Sequence, residues 1–72
     1  MPMRIRVSEP RLLPDLLSHL LRNDCVARPV NATTCAVEHL HASDYDEARI
    51  EMLFFLRAWQ ARHEAASAVL LG

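Results

Sequence analysis

The chain has a single glycine, Gly72, and no low-complexity run, which excludes a repetitive, linker-like or disordered polypeptide. No apolar run is long enough to cross a membrane, and the opening "MPMRIRVSEP" alternates charge with apolar residues where a signal peptide would be continuously hydrophobic. These two absences predict a soluble cytoplasmic protein with no membrane partner. Without a secretory route, the glycosylation pattern at Asn31-Ala32-Thr33 is a chance match. The net charge of −1 supplies no broad basic surface, so nucleic acid is not expected as a partner. Dense CxxC and HxxxH spacings, the strong signals for zinc, are also missing.

Apolar residues make up 51% of the chain against 24% charged, so it should fold, and 72 residues suffice for one small domain spanning 1–72. At that size a hydrophobic core is only marginally sufficient, and metals, disulfides or oligomerisation often supplement it.

Met3, Ile5 and Val7 alternate with Arg4 and Arg6, the period of a strand with one buried face. Ser8 can cap a helix that begins near Pro10 or Arg11, since Pro10 and Pro14 are tolerated only in its first turn. Its apolar stripe is Leu12, Leu13, Leu16, Leu17, Leu20 and Leu21, and Arg22-Asn23-Asp24 ends it.

The next stretch, "CVARPVNATTCAVEHLH", holds two cysteines and two histidines in residues 25–41. Its β-branched residues, with Pro29 and Asn31 in the middle, predict a hairpin whose first arm lies at a sheet edge. A turn at Pro29-Val30-Asn31 would set Cys25 opposite Cys35, within reach of a disulfide under oxidation. A turn at Asn31-Ala32-Thr33 would instead set Cys25 near His39. Strand rise is about 3.3 Å per residue, so either register gathers at most two or three of the four groups. The cysteines are therefore expected to be reduced, buried and free of metal.

Asp44 followed by Glu47 resembles a capping box opening the longest helix, with Tyr45, Ala48, Met52, Phe55, Leu56 and Trp59 facing the sheet to about His63. The last segment, "AASAVLLG", reads as a final strand because Val69, Leu70 and Leu71 need burial; the alternative is continued helix.

Strand, helix, strand, strand, helix, strand resembles the ferredoxin-like split βαβ architecture, an α+β fold with a four-stranded antiparallel sheet and two helices on one face. Alternatives are a βααβ-type fold, or βαββα with the C-terminus extending the last helix. Many functions share the ferredoxin-like fold. Its heavy-metal-associated members carry a paired-cysteine loop after the first strand, where this chain reads "VSEPRL". RNA-recognition motifs place aromatics on the first and third strands, here "MRIRV" and "CAVEHL" with none. Ligand-binding domains of the ACT kind often have a glycine-bearing turn after the first strand, also missing here.

No catalytic signature stands out, and a small domain with one helical layer has little room for an enclosed site. His19 and His63 fall beside apolar stripes and read as hydrogen-bonded, partly buried histidines. The expectation is a non-enzyme without cofactor. Ile50, Phe54, Ala61 and Ala65 fall opposite the buried ridge of the long helix, which points to an interaction or assembly module, a homodimer or a binder of another protein. Ile50, Phe54 and the uncovered sheet face are its candidate contacts. The competing reading is a small-ligand or anion sensor using Arg4, Arg6 and Arg28, against a plain solvated face that pairs Arg4 or Arg6 with Glu38.

Overall fold

The computed structural model describes residues 3–71. The alternation at the start forms strand β1, Met3–Val7, with Met3, Ile5 and Val7 buried and both arginines exposed. A 3₁₀ turn, Pro10–Leu12, leads into helix α1, Leu13–Arg22, so each proline occupies a first turn where no helical N–H is lost. Glu9, not Ser8, stands at the cap position, with no side-chain cap. The Ser8 hydroxyl instead accepts from the Ser67 N–H at 3.0 Å, tying the chain to the approach of its last strand. Leu12, Leu13, Leu16 and Leu20 are buried, whereas Leu21 lies 70% exposed on the far side of the helix. Asn23 donates from its amide to the His19 carbonyl at 2.8 Å, and Asp24, at φ 60°, reverses the chain.

Strands β2, Cys25–Pro29, and β3, Thr34–His39, form the hairpin, and the turn at Asn31-Ala32-Thr33 sets its register. The Asn31 side chain accepts from the Thr33 N–H at 3.0 Å and fixes that turn. Cys25 therefore pairs with His39 and Cys35 with Pro29, which overturns the register that would face the two cysteines. They stand about 13 Å apart along the strands, beyond disulfide reach, and both are free and buried.

Helix α2, Tyr45–Ala61, starts at Asp44, whose carboxylate accepts from the Glu47 N–H at 2.8 Å. The Glu47 carboxylate turns to the Ser43 hydroxyl, so only half of the capping box forms. Ala48, Met52, Leu56 and Trp59 are buried, but Tyr45 is exposed: at the first helical position it lies beyond the ridge that meets the sheet. The chain then forms β4, Ala68–Leu70, instead of extending the helix.

The sheet order is β2-β3-β1-β4, with β1 antiparallel to both β3 and β4, and β3 antiparallel to β2. β1 and β2 thus run parallel with β3 between them, and β3 and β4 run parallel with β1 between them. One face, carrying Met3, Ile5, Val7, Cys25, Cys35 and Val37, packs into a single core with residues of both helices. The other face carries Arg4, Arg6, Val26, Arg28, Glu38 and Val69, all exposed.

Candidate functional site

Three places hold chemistry-bearing side chains, and each can be built from the register. On the covered side, Cys25, His39 and Glu51 follow one another in the order of a nucleophile, base and carboxylate. The His39 Nε2–H donates to Glu51 Oε1 at 2.9 Å, while His39 Nδ1 accepts the His41 backbone N–H at 3.1 Å. Both ring nitrogens are thereby occupied, and neither is free to take a proton from the thiol. The Cys25 thiol points instead to the Asn23 carbonyl at 3.5 Å. Burial, followed by the charges of Asp24 and Glu51, pushes its pKa up to about 11, so the thiolate is suppressed. Burial also raises the Cys35 thiol. Among the described residues, no three His, Cys, Asp or Glu side chains are placed to hold a metal ion.

The second cluster joins the helices. Trp59 Nε1–H donates to Asp15 Oδ2 at 2.8 Å, and His63 Nε2 lies 3.0 Å from the same oxygen. The His63 ring stacks on Trp59 with centroids 4.3 Å apart, and its Nδ1 lies 2.8 Å from the Trp59 carbonyl oxygen. His19 reaches across from α1 to the Phe55 carbonyl at 2.9 Å. These contacts satisfy the indole N–H of a buried tryptophan, hold the His19 and His63 rings in place and tie α1 to α2. Both histidines are partly or fully buried and hydrogen-bonded, as their positions beside apolar stripes suggest.

The third place is the surface. On the open sheet face, Arg4 and Arg28 both pair with Ala36, on the strand between them, so their Cα atoms are about 10 Å apart. Arg6 pairs with Thr34 and Val69. Glu38 pairs with Val26, and among the described residues no ion pair joins it to Arg4 or Arg6, contrary to the expectation of a self-neutralised face. A recess of about 220 Å³ lies away from Arg4, Arg6 and Arg28, between the end of β3 and the start of α2. Its lining includes Glu38, His39, Asp44 and Tyr45, and the two carboxylates make it a poor anion pocket.

On α2, Ile50 and Phe54 are 56% and 60% exposed. Leu53 joins them at 40%, and with Arg57 these residues line a shallow open depression. Ala61 and Ala65 are exposed as well. Helical period alone also allows a rolled helix with Leu53 and Phe54 in the core, but both are exposed; Asp46 and Arg57 carry no signal in the sequence beyond their spacing with Ile50. Glu51 was also missed: its role depends on where His39 falls, which only the hairpin register decides. The chain matches no protein-family model, no curated protein and no solved structure.

Proposed function

We propose that this domain is a non-enzymatic interaction and assembly module that self-associates through the outward face of α2. The observation that carries this reading is the adjacent exposure of Ile50, Leu53 and Phe54 on the side of the helix opposite its buried ridge. Burying them against a second copy removes apolar surface from water at no cost to the core. The open sheet face instead carries three arginines, Arg4, Arg6 and Arg28, against one carboxylate, Glu38, a net positive surface that disfavours stacking on its own copy. In architecture we read the domain as ferredoxin-like, supported by the βαββαβ element order and by two interleaved units in which each helix connects parallel strands across one intervening strand. Sedimentation equilibrium between about 10 µM and 1 mM tests the function: a concentration-dependent shift toward dimer is expected, and a monomer throughout that range overturns it.

A second reading, an anion-sensing domain, is supported by the three guanidinium groups around Ala36 that reach no carboxylate among the described residues. It predicts that phosphate, nucleotides or acidic amino acids raise the melting temperature, and a screen of these that moves nothing rejects it.

A further inference from the structure

Asp46, Ile50, Leu53 and Arg57 follow one another along α2 at intervals of four, three and four residues. Such intervals place side chains on one stripe of a helix, and all four residues are exposed. The stripe reads acid, apolar, apolar, base, and its intervals are symmetric about the point between Glu51 and Met52. A second helix laid antiparallel across that point, related by a two-fold axis, sets Asp46 opposite the second copy's Arg57 and Ile50 opposite the second copy's Leu53. Each contact occurs twice. Phe54 widens the apolar seam beside the second copy's Ile50.

The charges needed for this pairing are available. The carboxylates of Glu47 and Glu51 are engaged by the Ser43 hydroxyl and the His39 ring. Asp46 makes no side-chain hydrogen bond or ion pair among the described residues, and Arg57 reaches no carboxylate, lying 5.9 Å from the centre of the Phe54 ring. We infer that the occupant of this face is a second copy of the chain, docked through antiparallel α2–α2 pairing with Asp46 and Arg57 as the reciprocal charge contacts. The inference rests on the self-association proposed above and adds its geometry. The arrangement is isologous and closes as a dimer, so it does not propagate into filaments. One helix face buries less than the roughly 1,200 Å² of a standard stable complex, so the dimer is weak and concentration-dependent.

The test is sedimentation equilibrium in about 50 mM salt, where exposed charges are screened less than at physiological ionic strength. The proteins are wild type, Asp46→Arg, Arg57→Asp and an equimolar mixture of the two variants, with thermal melts to verify folding. Each variant alone should self-associate about tenfold more weakly than wild type, because both of its contacts now join like charges. In the mixture, each variant restores the opposite-charge contacts of the other, and association should return to within about threefold of wild type. A wild-type dimer whose variants associate equally well, or whose mixture gains nothing, overturns the antiparallel geometry while leaving self-association standing. A wild type that stays monomeric to about 1 mM overturns both. If one variant melts early, Asp46→Asn with Arg57→Gln replaces the pair: each should weaken the dimer about threefold, and unchanged association overturns the geometry.

Discussion

The two helices pack on the same face of the sheet but distribute their apolar residues differently. α1 commits Leu13, Leu16 and Leu20 to the core, and its largest exposed apolar residue, Leu21, stands alone near its end. α2 buries Ala48, Met52, Leu56 and Trp59 and also exposes Ile50, Leu53 and Phe54 side by side. Folding the monomer accounts for nearly every apolar residue of α1. It accounts for only one side of α2, and Ile50, Leu53 and Phe54 on the other side stay exposed.

Substitutions should separate these roles sharply. Leu16→Ala on α1 or Met52→Ala on α2, each removing a side chain with no exposed surface, should cost about 2 to 5 kcal/mol in urea unfolding. In a domain this small, that is a large share of the total stability.

Alkaline pH should act on the core as well. Cys25 has its folded pKa raised from 9.0 to about 11, so its contribution is complete below the unfolded value and is lost as pH rises from 9 toward 11. Up to about 2 to 3 kcal/mol should disappear across that window, with no thiol labelling in the folded state at neutral pH. Cys25→Ser keeps a small side chain without a group that ionises there, and its stability should fall less than wild type between pH 9 and 11, the buried Cys35 thiol still contributing.

The polar link between the helices is expected to matter less. Asp15→Ala leaves the Trp59 indole N–H without its acceptor and should cost about 1 to 3 kcal/mol, read by thermal denaturation and by Trp59 fluorescence. Asp44→Ala removes the α2 cap and should cost about 1 kcal/mol. Phe54→Ser, on the outward face, should change monomer stability by no more than about 0.5 kcal/mol while weakening self-association.

Local patterns carried most of the fold. The alternation in Met3–Val7, the prolines confined to first turns and the Asp44 cap each specify their element through contacts a few residues away. What was not legible depended on distant partners. Ser8 reads as a cap until Ser67 arrives from the other end of the chain, and the Cys25–His39 pairing follows from which residues form the turn, where both choices contain good turn formers. Tyr45 fits the apolar stripe by spacing, but a stripe does not say where along its length the sheet ends. The outward residues Ile50 and Phe54 were legible from helical period alone; the charges that complete the stripe gained meaning only once Glu47 and Glu51 were engaged within the chain.

The most direct test of the contrast between the helices is a concentration series of ¹H–¹⁵N spectra from about 20 µM to 1 mM. Amide shifts that grow with concentration should cluster on α2 around Asp46, Ile50, Leu53, Phe54 and Arg57, while α1 and the open sheet face stay still. Shifts centred on Arg4, Arg6 and Arg28, or none at any concentration, would contradict the account.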